Sequence, residues 1–426
     1  MLQTLKNAWK IPDLRKRMIF TFMMLVIYRI GAAIPVPGMN TEAIQALFAS
    51  QENGILGFFD VMAGGAFSQF TIFALSIYPY VTASIIVQLL TIALPSWELL
   101  AREGEAGRKK MAQRTRIGTV IFALVQAFGI SIGLFNRALI DDTFMTKFTV
   151  IIVLTAGTAF LMWLGEQITT NGIGNGISLI IFTGIISRMP GDYIDTFKLF
   201  SAGTVSLIEL ILFFTVSIAV IAGVVAIQEG SRKIPVQYSK RVVGRKLYGG
   251  QSTHIPLKVL MAGVIPVIFS TSVLAFLPTI GMFFPNSGYA GFVNRWLAPT
   301  PGEPGIIIYT ILNFGLIVFF TYFYTAIQFN PVDYADNLKK YGGFIPGRRP
   351  GKPTAEYLSS VVNRITLLGA IALGLIAVLP TVISTFTNLN IAFGGTSLII
   401  IIGVALETFK QIEAQMLQRH YKGFLK

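Results

Sequence analysis

The sequence predicts an all-α integral membrane protein with ten transmembrane helices, and three observations carry that prediction. Ten apolar stretches follow one another along the 426 residues. Nearly all Lys and Arg fall in every second connection between them. Composition is the third: with 53% apolar and 13% charged residues, a soluble chain of this size would have too little polar surface to stay dispersed. A helix bundle in lipid has no such requirement.

The stretches are Met18–Pro37, Phe70–Leu94, Ile117–Phe135, Phe148–Gly165, Ile173–Ser187, Thr204–Ile227, Ile255–Phe284, Ile306–Phe329, Ile365–Phe386 and Ile391–Phe409. Most reach the roughly 20 apolar residues that a helix needs to cross a ~30 Å hydrocarbon core. The first is too long for a cleavable signal peptide and further spans follow it, so it is expected to remain as a helix. Before it stand Lys6, Lys10, Arg15, Lys16 and Arg17, and the second connection holds Arg102, Arg108, Lys109, Lys110, Arg114 and Arg116. The first connection, from Gly38 to Gln69, has no cation. Basic residues return after the sixth stretch (Arg232, Lys233, Lys240, Arg241, Arg245, Lys246, Lys258) and the eighth (Lys339, Lys340, Arg348, Arg349, Lys352, Arg364). The opposite connections hold only Arg137, Lys147, Arg188, Lys198 and Arg295. By the positive-inside rule both termini are expected in the cytoplasm.

From Gly54 to Leu94 the chain is apolar for longer than one crossing, broken by Asp60 and by the cluster from Gly64 to Gln69. It must be two pieces. The first, Gly54 to about Phe67, is too short to span and suits a re-entrant half-helix entering from the outer side. Periodicity alone fits equally well a helix lying flat on the outer leaflet. Further breakers are Pro79 in the second stretch, Pro266 in the seventh, and Gly172, Gly174 and Gly176 at the start of the fifth. A kink or a close helix contact accounts for any one of them. Polar residues within the stretches are few: Arg29, Gln88, Gln126, Glu209 and Asn313. Arg29 and Glu209 lie near segment ends, where long side chains can snorkel. Gln88 is the most central and is expected to meet a hydroxyl on another helix, in a structural or a gating role.

Several chemistries are excluded. There is no cysteine, hence no disulfide, thiolate metal site or thiol catalysis. A phosphate loop of the GxxxxGK[ST] type and an HExxH zinc motif are both missing, and His254 and His420 lie in cytoplasmic connections. No cofactor is expected, and no enzyme. The net charge of +14 belongs to loops beside the spans, so orientation explains most of it and no specific DNA binding is expected. Anionic lipid, partner proteins or ribosomal RNA are expected to share the remainder. An ion-coupled transporter would keep ionisable groups near the midplane, where this chain is aliphatic.

Two cytoplasmic connections are long. The segment from Arg232 to Gly250 mixes β-branched and cationic residues in near alternation and reads as a protruding hairpin. That from Ala335 to Leu358 reads as a short charged helix followed by a Gly/Pro-rich tip bearing Arg348 and Arg349. Two basic projections on one face would form a docking surface, since orientation alone does not require such lengths.

At these loops the chain closely resembles the SecY/Sec61-alpha family of protein-conducting channels. The motifs are IPVPG (Ile34–Gly38), the run from Gly64 to Leu90 with GGAFSQF and SIYPYV, EGEAGRKK (Glu103–Lys110), and LMWLGEQIT with GIGNGIS (Leu161–Ser178). QSTHIPLKV with AGVIP (Gln251–Pro266), ADNLKK with GFIPG and RPG (Ala335–Gly351), and FGGTSL (Phe393–Leu398) complete the set in order. Together they are highly specific, although each alone would be weak.

The resemblance implies two pseudo-symmetric inverted halves of five helices, residues 1–190 and 191–426, around a central pore that opens sideways between the second and seventh spans. It places a pore ring at Ile77, Val81, Ile177, Ile181, Ile268 and Ile400, which as isolated residues would read as lipid-facing or core. Such a dry aliphatic constriction resists water and ions yet can yield around an extended chain. A plug is implied over about 54–67, with Leu56, Phe58, Phe59, Asp60, Val61, Met62, Gly64 and Gly65. The gate is expected to include Thr82, Ser84, Gln88, Thr271 and Ser272. The loops at about 228–256 and 330–362 are assigned to the SecA ATPase motor or the ribosome through Lys240, Arg241, Arg245, Lys246, Arg348 and Arg349. Arg349 matches the arginine of the family's PGxRPG pattern, whereas Arg348 is aliphatic in some relatives. Further implied partners are the small membrane subunits SecE and SecG, signal peptides and unfolded preproteins, in the bacterial plasma membrane. The alternative is a secondary transporter of a small solute.

Overall fold

A computed structural model describes residues 2–50, 60, 63–238, 241–243, 246–248, 252–283, 287–297, 305–386 and 395–423. Each of the ten stretches holds a helix: Pro12–Gly31, Tyr78–Ala93, Glu105–Phe128, Phe144–Asn171, Gly176–Ser201, Leu207–Glu229, Ile265–Phe283, Gly305–Gln328, Lys352–Phe386 and Gly395–Gly423. They are numbered below from first to tenth. Among the described residues, five runs are long and apolar enough to cross a membrane: Glu105–Leu134, Phe144–Asn171, Leu207–Glu229, Gly305–Lys340 and Lys352–Ile383. The first helix opens on Asp13, Arg15, Lys16 and Arg17, and the C-terminal part of the fifth carries Arg188, Asp192, Asp195 and Lys198, which shortens the apolar part of each. The second turns through 106° into a short amphipathic helix, Pro95–Arg102.

Two expected boundaries move. The second stretch is not helical from Phe70: the helix starts at Tyr78, and Pro79 lies in its first turn, where a proline is favoured, rather than inside it. Phe70 to Ile77 is a series of turns with φ of 45° at Phe70 and 50° at Ser76. Its polar backbone is satisfied partly by its own turns, as from the Ala74 N–H to the Thr71 carbonyl, and partly by the chain after the first helix: the Val36 N–H donates to the Phe70 carbonyl and the Ile72 N–H to the Ile34 carbonyl, both at 3.0 Å. Phe70, Thr71, Phe73, Ala74, Leu75, Ser76 and Ile77 are all buried. Irregular backbone at membrane depth survives only under such cover.

The seventh stretch also begins later than expected. Ile255 belongs to a strand, and the helix starts at Ile265 with Pro266 in its first turn. The cause is a period-two pattern: the run reads as apolar, but Ile255 and Leu257 share one face of a sheet. Strand β1 (Ser231–Tyr238) pairs antiparallel with β4 (Ser252–Lys258), Ile234 opposite Ile255, while β2 (Arg241–Val243) and β3 (Lys246–Tyr248) pair beyond them. The predicted hairpin is thus a two-tier arm. Its other edge takes β5 (Gly343–Phe344), from the second long connection, which also forms the expected short helix Pro331–Lys340. Ile234, Val236, Leu257, Leu338, Ile345 and Leu358 share a core beneath this sheet, so the two basic loops are one folded unit.

The main core runs through the bundle. It joins side chains from the second, fifth, seventh and tenth helices into one cluster, including Ile85, Ile180, Val267 and Val404.

Candidate pore constriction

Five of the six ring candidates line one cavity. Ile77, at the turn that opens the second helix, and Val81 in its first turn face Ile181 of the fifth helix, Ile268 of the seventh and Ile400 of the tenth. All five are between 1% and 9% exposed. The cavity leaves about 20 Å³ in which the centre of a water molecule can lie. One water needs roughly 10–15 Å³ by that measure, so the constriction holds one or two at most. Thr271 and Ser272 also line it, but their hydroxyls donate to the carbonyls of Val267 and Ile268 at 2.7–3.1 Å. Ser76 and Tyr78 complete the lining. They lay outside the sequence expectation, and the only hint was their place in SIYPYV beside Ile77. Ile177 stands apart: its side chain packs onto Gly165 of the fourth helix.

The seventh helix packs against the second and against the π-helical turn Gly129–Leu134 that ends the third. Of the gate candidates, Thr82 donates to the Tyr78 carbonyl at 3.0 Å within its own helix. Gln88 donates to Ser84, also on its own helix, at 3.3 Å, and lies beside the Tyr324 hydroxyl of the eighth. Glu209 closes a capping box with Ser206 at the start of the sixth helix. Asn313 receives a hydrogen bond from Ser270 at 2.7 Å, tying the eighth helix to the seventh.

Of the plug candidates, Asp60, Gly64 and Gly65 are described, while Leu56, Phe58, Phe59, Val61 and Met62 lie outside the described residues. Asp60 is buried and ion-paired with Arg188, and its other carboxylate oxygen accepts the Ser68 N–H at 2.7 Å. Arg241 and Lys246 sit in β2 and β3 of the arm; Lys240 and Arg245 lie outside the described residues. Arg348 and Arg349 are exposed, Arg348 over the Tyr357 ring at 5.2 Å.

A helical membrane protein whose second, fifth, seventh and tenth helices meet round a narrow, mainly aliphatic constriction has the build of a gated channel. The SecY family matches residues 71–409 of this chain. Over the full length of both proteins it is 46% identical to the protein translocase subunit SecY of Streptomyces scabiei and 47% identical to that of Halalkalibacterium halodurans. The chain belongs to the SecY family. Its fold is shared with a solved protein conducting channel (TM-score 0.67, 22% identity, 94% of this chain and 92% of that one). It is also shared with a structure from work on how the plug domain of the SecY protein stabilises the closed state and maintains a membrane seal (TM-score 0.66, 20% identity, 94% and 92%). A third is Sec61 in a canine ribosome–channel complex (TM-score 0.64, 20% identity, 94% and 92%).

Proposed function

We propose that this chain is the channel-forming subunit of a protein translocase, passing unfolded polypeptides through the bundle and releasing apolar segments sideways into lipid. The observation that carries this reading is the narrow cavity between Ile77, Val81, Ile181, Ile268 and Ile400, lined by branched side chains from four helices. The aliphatic part of that wall offers no fixed hydrogen-bond partner, so it does not select among sequences, and it favours dewetting when empty. The chain performs no bond chemistry, as its family is one of channels.

Ten crossings in two halves, 1–190 and 191–426, would place this ring between the halves, with Ile177 one turn along the fifth helix as a second-tier contact. The plug is assigned to about 54–67, and the seam of the second and seventh helices, with Thr82, Ser84, Gln88, Thr271 and Ser272, to the lateral exit. The arm and the loop at Arg348 and Arg349 would present Lys240, Arg241, Arg245 and Lys246 to a SecA-type motor or the ribosome, with SecE and SecG as small membrane partners. Both termini would then face the cytoplasm across a bacterial plasma membrane, whose anionic lipid suits the basic loops.

The test is conductance. Proteoliposomes holding the chain with 56–66 deleted should leak ions, whereas a solute transporter would show saturable uptake of one solute and no such leak. An unchanged resting conductance would overturn the reading.

A further inference from the structure

Gly172, Gly174 and Gly176 interrupt the chain between the fourth and fifth helices, and the pore reading leaves them without a role. In the structure this loop is a seat for two distant helices. The Ile173 N–H donates to the Thr21 hydroxyl of the first helix at 3.0 Å, and the Gly174 N–H to the side-chain carbonyl of Gln411 on the tenth at 2.6 Å. Thr21 donates its own proton to the Arg17 carbonyl at 2.9 Å, so one hydroxyl serves both helix and loop. The Gly176 N–H goes to Thr169 of the fourth helix at 2.9 Å, and the Asn175 side chain caps the fifth. Loop N–H groups of this kind need acceptors, and two of them find theirs far away in the sequence.

The glycines permit the fit. Gly174 has a φ of 87°, a region that glycine enters freely, and a Cβ there would meet Thr408 Oγ1 at 3.0 Å. A Cβ on Gly172 would lie 2.4 Å from Thr21 Oγ1. Ile173 is buried with Leu14 of the first helix and Ile412 of the tenth. The loop is thus wedged between these two helices by hydrogen bonds on its backbone and an apolar contact on its side chain. Two ring residues are carried by the elements that meet here. Ile181 stands on the fifth helix, which begins at Gly176, and Ile400 on the tenth, eleven residues before Gln411. That spacing is about three turns, so Gln411 and Ile400 share one face of the helix roughly 16 Å apart. Beside Gln411, Lys410 pairs with Glu229 at 2.7 Å, at the end of the sixth helix where the basic arm begins. That pair is largely exposed and screened, so it contributes little; the bonds to Thr21 and Gln411 dominate.

We infer that Thr21 and Gln411 are positioning residues of the constriction: by gripping the loop at Ile173 and Gly174 they fix the tenth helix along its axis against the fifth, and so keep Ile400 level with Ile181. This rests on the conduit reading above. The residues that line the cavity are others, so Thr21 and Gln411 act on it through the helices they hold. The leverage comes from the size of the space. With room for one or two waters only, a small slide or turn of the tenth helix takes Ile400 out of the ring and admits more. A helix held only by apolar side chains has no such fixed register, because dispersion contacts are non-directional. Hydrogen bonds to two consecutive loop N–H groups supply one.

The full chain, reconstituted into proteoliposomes at equal abundance, supplies the test. Gln411→Leu and Thr21→Val keep the bulk but remove the acceptors, and each should raise resting ion leak roughly tenfold. Gln411→Glu and Thr21→Ser keep an acceptor in place and should stay near wild type, as should Lys410→Gln. Because the seat acts through the ring, Gln411→Leu should add nothing to the leak of Ile400→Asn, in which the ring is already breached. Ile400→Asn alone is the positive control for the channel. If it leaks while Gln411→Leu and Thr21→Val stay tight, the positioning role is overturned and the conduit stands. Conservative variants as leaky as the apolar ones, or a leak that multiplies in the Ile400→Asn background, also overturn it, since the hydrogen bonds or the ring would then not be the route. If Ile400→Asn stays tight as well, the conduit reading fails and the positioning role falls with it.

Discussion

Ile400→Asn asks most directly whether the aliphatic ring seals the channel. The side chain is 1% exposed and faces Ile77, Val81, Ile181 and Ile268 across a space too small for more than one or two waters. Losing a fully buried isoleucine costs the closed state about 1.5–3 kcal/mol. Placing an amide there without partners adds about 1–3 kcal/mol. In the wet, open pore most of both penalties disappears, so the closed-to-open balance shifts by up to ~3–5 kcal/mol. Every 1.4 kcal/mol is about tenfold, so the open fraction should rise by roughly two to three orders of magnitude, provided it starts small. The assay is single-channel conductance in planar bilayers, with Ile400→Leu as the volume-conserving control, expected to stay near wild type. An Ile400→Asn protein that is folded, equally abundant and as tight as wild type would refute the reasoning.

Deleting 56–66 should admit substrates with defective signal sequences as well as ions, read out by export of such a reporter in cells, with normal abundance of the chain. Arg349→Glu reverses charge at an exposed loop tip and adds repulsion to lost attraction, so SecA affinity and translocation-coupled ATPase should fall severely while melting behaviour stays unchanged; full activity would leave the loop's cations with orientation alone. Gly157→Ala would put a Cβ 1.9 Å from the Ile72 carbonyl oxygen, and overpacking of this kind costs about 1–3 kcal/mol, so the thermal midpoint in detergent should drop by several degrees; an unchanged midpoint would mean the two backbones are not so close.

The ten helices were legible because burial in lipid leaves a long, uninterrupted signal, and the alternation of cations adds a second one. The hairpin from Arg232 was legible through its period of two. What escaped was the far side of that same arm: Ile255 and Leu257 looked like the start of a span because two apolar residues of a strand and a following apolar helix merge into one run. The turns from Phe70 to Ile77 escaped for a related reason. Hydropathy records where a residue wants to be and not which backbone it has, and two of the hydrogen bonds that hold these turns involve Ile34 and Val36, far back in the chain. At the constriction, Ile77 and Ile400 carry no mark that separates them from dozens of other aliphatic residues, and only their motifs select them. The pairing of Asp60 with Arg188 could have been suspected from two misplaced charges, yet nothing local says that they meet across 128 positions.

The turns between Phe70 and Ile77 also bear on how this protein is itself made. A helix can enter the bilayer alone because it satisfies its own backbone. This segment meets only part of that need itself; the rest comes from the Ile34–Val36 loop, and its Ile72 carbonyl packs against Gly157 of the fourth helix, some 85 residues later by the numbering. Until that helix arrives, the turns lack the packed surface that covers Ile72. The turns are therefore completed by packing with a later helix, and a ribosome stalled before residue 157 should leave the Tyr78–Ala93 helix less firmly held.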